Sequence, residues 1–232
     1  MINNINKKDF SLIKTTQKTF DKIAGEFSIS RRKKDKFLEY FFTFFNPKGK
    51  ILDAGCGNGR ALIYLKLKDF FNKLNNYYLG VDNSRKLLKE AEKLSKILKL
   101  KNVKFKKINL LDLKTNEKID NIICLAVLHH FPPTFQLKVL KNFYKILNKN
   151  GILCGYVWNP PIEITKKWKM IDKKSYFKFW RNKINLPMFY YIFSARKLRD
   201  ILKRAGFKNI KIKKIKASKE TIKQNLIFLA QK

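Results

Sequence analysis

The chain is poor in the residues that staple small secreted domains or hold metals. Its 232 residues include only 3 Cys, 2 His, 9 Gly and 6 Pro. Cys56, Cys124 and Cys154 lie far apart with no Cys-x-x-Cys pair, which argues against a disulfide framework or a zinc site and for three small buried hydrophobes. No apolar run is long enough to span a bilayer, and Met1 to Lys8 has no apolar core of a signal peptide, so a cytoplasmic protein is expected. Acids are scarce as well: 17 Asp and Glu stand against 53 Lys and Arg, a net charge of +36. A field of that sign attracts polyanions, nucleic acid first among them. A compositional bias would produce the same excess, since Lys, Asn, Ile and Phe are abundant throughout. The length suits one domain, 1–232, with a single core.

One stretch organises the rest. Ile51-Leu-Asp-Ala-Gly-Cys-Gly-Asn-Gly-Arg60 reads as a buried strand, a glycine-rich turn and the start of a helix. Gly55, Gly57 and Gly59 let the chain turn tightly around Cys56 while its backbone approaches a ligand. The spacing Gly-x-Gly-x-Gly is not the Gly-x-Gly-x-x-Gly of dinucleotide sites, and Asp53 just before it suits a cationic ligand end better than a pyrophosphate. Tyr77 to Asp82 reads as a second strand ending in an acid about twenty residues after the turn, where such folds hold ribose hydroxyls. Asn83 follows it.

Around this centre, residues 7–45 read as two helical pieces in a leader spanning 1–48, with a basic break at Phe27-Ser-Ile-Ser-Arg31-Arg32 and a stop at Pro47 and Gly49. Ser84 is a plausible cap for a helix to about Leu98. Val103 to Ile108 alternates as a third strand, with Asn109 and Leu110 at its carboxyl end. Ile119 to Val127 is continuously apolar, as a strand covered on both faces should be, and empties into Leu128-His129-His130-Phe131. A helix over 134–147 and a strand over 151–158 follow. The stretch 159–193 interrupts the alternation with aromatics set among lysines. A helix over 194–205 and strands over 209–217 and 225–230 close the chain. Alternating strands and helices predict an α/β fold, a mostly parallel sheet with helices on both faces.

Asp-x-Gly-x-Gly-x-Gly followed by a strand ending in Asp resembles the class I S-adenosylmethionine-dependent methyltransferases, over nearly the whole chain. The resemblance implies a seven-stranded Rossmann-like sheet with an antiparallel last strand, and S-adenosyl-L-methionine as cofactor. It also implies roles: Asp53, Gly55, Cys56, Gly57, Asp82 and Asn83 around the donor, Asn109 and Leu110 at the adenine, and Ala126 supplying backbone near the methionine end. The family usually has Asp at the adenine position; Asn109 aligns with it, and Asp112 is the rival.

Further segments narrow the resemblance. Leu125-Ala-Val-Leu-His-His-Phe131, Tyr156-Val-Trp158, Phe20-Asp-Lys-Ile-Ala24 and Phe189-Tyr-Tyr-Ile-Phe193 resemble the tRNA wobble-uridine carboxymethyl methyltransferases, which convert 5-carboxymethyluridine to its methyl ester. The chain departs from that pattern at Phe20, where Tyr is usual, at Met188, where a basic residue is expected, and at Tyr191, where His is expected. A carboxylate acceptor is already ionised at neutral pH and needs alignment and dry surroundings rather than a base. Arg31, His129 and Trp158 are the candidate catalytic residues, and Arg31, His129, Tyr190 and Tyr191 the candidate substrate contacts. The partners implied are the tRNA anticodon loop and a small zinc-binding activator subunit pairing with the sheet edge near the third strand. Two alternatives stand beside this reading: a small-molecule O- or N-methyltransferase of the same fold, and a subunit that binds cofactor or RNA without catalysing. The insertion 159–193 is either a lid that stacks unpaired bases or aromatic packing under a solvated lysine face.

Overall fold

The computed structural model describes residues 7–31, 36–45, 47–115, 117–183, 185–216 and 224–232. In chain order the elements are α1 (Lys7–Ser30), α2 (Lys36–Phe44), β1 (Lys50–Ala54), α3 (Ala61–Leu67), β2 (Tyr77–Asp82), α4 (Arg85–Ile97), β3 (Val103–Lys107), β4 (Ile119–Leu125), α5 (Pro133–Ile146), β5 (Leu147–Trp158), α6 (Ile162–Thr165), β6 (Lys169–Asp172), β7 (Ser175–Phe179), β8 (Pro187–Tyr191), α7 (Ala195–Arg204), β9 (Lys208–Lys216) and β10 (Gln224–Gln231). Seven strands form the main sheet in the order β3-β2-β1-β4-β5-β10-β9. The first five are parallel, and β10 runs antiparallel to both β5 and β9. The expected architecture is therefore present.

The apolar pattern explains the layering. β1 and β4 are buried along almost their whole length and sit at the centre of the sheet. Phe135, Val139, Leu140 and Phe143 of α5 join Leu198 and Leu202 of α7 in the core on one face, while Leu38, Phe41 and Phe42 of α2 meet Leu62 and Leu65 of α3 on the other. The edge strands β3 and β9 carry exposed lysines, which blunt the unpaired edges against pairing with other chains. Strand order reverses between β1 and β4, so a crevice opens at the carboxyl ends of the central strands, the usual ligand position in an open α/β sheet.

Three local readings differ from the structure. α1 runs unbroken to Ser30, because Phe20 and Phe27 lie on one face and pack edge to face at 5.6 Å; the break begins only at Arg31, and 32–35 lie outside the described residues. β5 starts at Leu147, where α5 passes directly into extended backbone that pairs with Ile119 of β4. The stretch 159–193 is not irregular: it contains α6 and a second, antiparallel sheet, β6-β7-β8.

This small sheet is joined to the body through the outer edge of β8. Thr16 of α1 accepts the Phe189 N–H at 2.9 Å while donating to Leu12 O, and Thr19 donates to Pro187 O at 2.6 Å. His130 Nδ1 lies 2.8 Å from Phe189 O, completing the edge. Two threonines and a histidine thus replace the hydrogen bonds of a missing fourth strand. Thr16→Val keeps the shape of this contact but leaves the buried Phe189 N–H unsatisfied, so urea unfolding should show a loss of about 1–3 kcal/mol. Unchanged stability would mean that the edge is not held by this bond.

Candidate active site

A cavity of about 730 Å³ fills the crevice, within the usual ~300–1,000 Å³ of ligand pockets. Its floor is the carboxyl ends of β1, β2, β4 and β5; α1, the start of α2, the face of β7 and β8 and the start of β10 contribute to its walls. The floor is shaped by the glycine turn. Gly55 and Cys56 donate to Val81 O at 2.8 and 3.0 Å, and Gly59 to Cys56 O at 2.9 Å. Gly55 has φ +77°, and a Cβ there would come within 2.5 Å of a Val127 methyl, so no other residue fits.

Two acids mark one end of this cavity. Asp53 is buried at the end of β1 and accepts the Tyr78 hydroxyl at 2.7 Å. Burial pushes its carboxyl up to about 7, more than the Tyr78 bond and the nearby Arg60 lower it. Asp82 Oδ2 accepts from Gly57 N at 2.9 Å and Oδ1 from Ser84 N at 2.8 Å, so the two halves of the site brace each other. Burial nevertheless raises its carboxyl above the ordinary value. Ser84 caps α4 by accepting from Leu87 N and also donates to Asp21 of α1 at 2.6 Å. Gln17 of α1 exchanges hydrogen bonds with Asn83, donating to its carbonyl and accepting from its amide. The leader therefore forms a wall of this end through Gln17 and Asp21.

Of the two residues weighed for the third strand's end, Asn109 lines the cavity and Asp112 is exposed and does not. Asn109 Oδ1 accepts from Leu111 N at 3.0 Å, and its second lone pair is still able to accept a ligand hydrogen. Leu110 lies beside it on the wall. Ala126 adopts φ +60° and donates its N–H to Tyr156 O at 2.9 Å. Burial raises the Cys56 thiol well above its usual range, consistent with an inert side chain. Cys124 and Cys154 are likewise free and buried.

At the other end His129, His130, Trp158 and Tyr190 form one aromatic cluster. His129 stacks on Tyr190 at 5.1 Å with 12° between the rings, and Trp158 lies 5.3 Å from Tyr190. The two histidines have opposite tautomers. The Trp158 N–H can only donate, and it points at His129 Nδ1 from 3.1 Å, so this ring carries its proton on Nε2. The Phe189 carbonyl can only accept, so His130 carries its proton on Nδ1 and its Nε2 is bare. Burial keeps both rings neutral: His129 falls well below the usual histidine value and His130 to about 4, the latter pushed the same way by the Lys178 charge. Arg31 lies over the Phe27 ring at 5.1 Å and close enough to Tyr190 for its charge to act on the phenol.

All the expected site residues line this one cavity except Tyr191. Strand alternation decides the exception: Met188 and Tyr190 face the cavity, while Tyr191 turns to the opposite side and packs edge-on against Phe193 at 4.9 Å within the main core. Tyr191 is therefore withdrawn as a substrate contact. The structure adds Arg60, Gln17 and Lys178. Lys178 was legible only through the pairing of β7 with β8, which sets it opposite Met188.

The Asp53 environment has a measurable consequence. Its folded value of about 7 exceeds the ~3.9 of a free side chain, so the folded protein keeps a proton that the unfolded chain has lost. The stability tied to that group is full at low pH and is lost as pH rises from about 4 to about 7. Thermal unfolding of wild type minus Asp53→Asn should show this fall, and added S-adenosylmethionine, a cation at its sulfonium, should stabilise wild type more at about pH 8 than at about pH 6. A ligand effect independent of pH would contradict the placement of Asp53.

A family model for a methyltransferase domain matches residues 27–212. A tRNA U34 carboxymethyltransferase of Campylobacter fetus is 31% identical over 175 residues, which cover 75% of this chain and 56% of that protein. The chain spans about half the length of the first curated relatives it matches. Among solved structures, DhpI in complex with SAH superposes with a TM-score of 0.68 at 14% identity, covering 96% of this chain and 97% of that one. A chain of the complex between the Haloferax volcanii Trm112 methyltransferase activator and a putative methyltransferase superposes with a TM-score of 0.69, also at 14% identity, over 91% and 96%. With the glycine turn, the two acids and the strand order already in place, the chain belongs to the methyltransferase-domain family and has the fold of the class I S-adenosylmethionine-dependent enzymes.

Proposed function

We propose that this methyltransferase esterifies the carboxylate of 5-carboxymethyluridine at the wobble position of tRNA. The observation that carries the reading is the acceptor end of the cavity: a buried histidine fixed as a hydrogen-bond donor, with Arg31 and Lys178 on the same wall region and no acid there among the described lining residues. Such a site suits an acceptor that arrives as an anion. The charge of +36 and a relative named for tRNA U34 support an RNA substrate.

The residues present fit the donor. Asp53 faces its ammonium, Arg60 its carboxylate, Asp82 the ribose hydroxyls, and Asn109 with Leu110 the adenine; Gly55, Gly57 and Ala126 allow the backbone to approach. Bound there, S-adenosylmethionine supplies an electrophilic methyl group on sulfur. The protein's part is alignment. His129 donates from Nε2 to one oxygen of the acceptor carboxylate, the Arg31 charge offsets the carboxylate's desolvation, and the Trp158 and Tyr190 rings exclude water and leave the second oxygen to attack. No proton has to be removed. The lid lysines 166, 167 and 169, which are exposed, track phosphates, and Trp168 and Tyr176 stack neighbouring bases. A small activator subunit pairs with the free edge of β3; the complexed Haloferax structure supports this partner.

The carboxymethyltransferase relative favours a second reading, transfer of a whole carboxymethyl group to the wobble uridine, in which the same cations would hold the donor's carboxylate. Nucleoside mass spectrometry of tRNA bearing 5-carboxymethyluridine incubated with S-adenosylmethionine, and separately of tRNA bearing the uridine without that group incubated with a donor that carries a carboxymethyl in place of the methyl on its sulfonium, distinguishes the two. The methyl ester in the first incubation is expected. A carboxymethyl product in the second, or no product in either with and without activator, would contradict esterification.

Two kinetic consequences follow from an acceptor that needs no base. At saturating donor, kcat should be flat from about pH 6 to about pH 8, because the acceptor's own pKa is roughly 4; a limb rising near histidine's value would indicate proton abstraction. His129→Ala should lower kcat by about 10- to 100-fold, the range of one charge-assisted hydrogen bond, with S-adenosylhomocysteine affinity near wild type. Equal losses in both would make His129 structural.

A further inference from the structure

We propose that His130 is a specificity-determining residue whose Nε2 accepts the ring N–H of the acceptor base, so that the site takes a uracil-type ring, which carries a hydrogen at N3, and rejects a ring with a lone pair or a methyl group there. The proposal rests on the reading of this end of the cavity as the acceptor site.

Three observations carry it. The first is an open nitrogen. His130 lines the cavity, and its Nδ1 is taken by the Phe189 carbonyl at 2.8 Å. Among the described residues, the buried polar side-chain atoms that lack a partner are Ser28 Oγ and Gln136 Oε1. His130 Nε2, which has no partner either, is therefore open to the cavity and not sealed in the core. The second is a fixed polarity. Moving the proton to Nε2 would set the Nδ1 lone pair against the Phe189 oxygen, and burial holds the ring's value at about 4, so at neutral pH Nε2 accepts and cannot donate. The third is a fixed orientation. Phe20 packs edge-on against the ring at 5.3 Å and Tyr190 at 4.6 Å, and the Phe189 backbone that anchors Nδ1 is itself held by Thr16.

The neighbouring histidine makes the pattern specific. His129 offers a donor at Nε2 and His130 an acceptor, from consecutive residues whose ring centroids are 4.4 Å apart. A ligand that satisfies both must bring a hydrogen-bond acceptor and an N–H on one small frame. A uracil with a carboxymethyl group at C5 does so: its carboxylate meets His129 and its N3 hydrogen meets His130. Cytosine places a lone pair at N3, which would face the lone pair of Nε2. A site built to bond an N–H rejects an analogue without it far more strongly than an apolar pocket rejects a change of size. His130 removes no proton in this role; N3 keeps its hydrogen and the carboxylate remains the nucleophile.

The test separates the base from the carboxylate. The full chain loaded with S-adenosylhomocysteine is titrated calorimetrically with 5-carboxymethyluridine and its N3-methyl derivative, and with uridine and 3-methyluridine. Wild type should bind the N3–H member about ten-fold or more tightly in at least one pair. His130→Asn keeps an N–H for the Phe189 carbonyl where Nδ1 stood and removes the Nε2 acceptor, so it should bring that preference to within about three-fold. S-adenosylhomocysteine affinity near wild type shows that the variant is folded. Nitrogen-15 NMR of wild type needs no variant: the His130 Nε2 resonance should move upfield with 5-carboxymethyluridine and stay in place with the N3-methyl derivative. No preference in wild type, a preference that survives His130→Asn, or an Nε2 resonance that ignores the N3–H nucleoside overturns the proposal. Equal binding of the two acid nucleosides, each tighter than uridine, overturns it while leaving the carboxylate reading in place. A His130-dependent preference in the uridine pair, with no affinity gained from the carboxymethyl group, supports it and overturns the carboxylate reading.

Discussion

The chemistry available at the aromatic end of the cavity depends on one backbone amide. Because the Trp158 N–H points at His129 Nδ1, the imidazole must present its proton on Nε2, and it can offer a hydrogen bond but cannot take a proton. β5 makes this possible: it runs as an unbroken strand to Trp158, so the amide is placed by the same ladder that pairs β5 with β10. Burial reinforces the constraint, since protonating His129 would both desolvate a charge and sacrifice the Trp158 bond. A transferase built this way suits a nucleophile that needs no base.

The cavity is divided electrically along its length. Asp53 and Asp82 give one end two buried carboxyls whose ionisation is opposed by burial and favoured by any cation that enters. The other end has neutral rings flanked by Arg31 and Lys178. On the proposed reading, a donor with a positive sulfur and an acceptor with a negative oxygen are drawn to adjacent places, and their mutual attraction grows as water is excluded. The walls that exclude it belong to α1 and the small sheet, and they are tied to each other and to the histidine loop through the Phe189 backbone. α1, the small sheet and His130 thus share one joint.

What the sequence reveals follows from how local each constraint is. The glycine turn is legible because only glycine tolerates the positive φ of Gly55 beside Val127, and Asp82 because a parallel strand places its last residue at a fixed edge. Ser84 is legible as a cap for the same reason. Features that depend on distant pairing are not. The strands of the small sheet are short and lysine-rich, and their period of two is hidden until β7 and β8 are aligned; only then does Tyr191 turn away from the cavity and Lys178 turn into it. The unbroken α1 depends on packing of Phe20 and Phe27 against the histidine loop and Trp180, which no window of sequence contains. The tautomers of His129 and His130 depend on backbone atoms 29 and 59 residues away.

The account's central claim is that His129 is a fixed donor rather than a base, and nitrogen-15 NMR of the two imidazoles with S-adenosylhomocysteine bound tests it most directly. The structure predicts a neutral His129 protonated on Nε2 and a neutral His130 protonated on Nδ1, neither titrating between about pH 6 and about pH 8. A His129 protonated on Nδ1, or one that titrates near the ordinary histidine value, would contradict the account and point instead to an amine or phenol acceptor that must lose a proton.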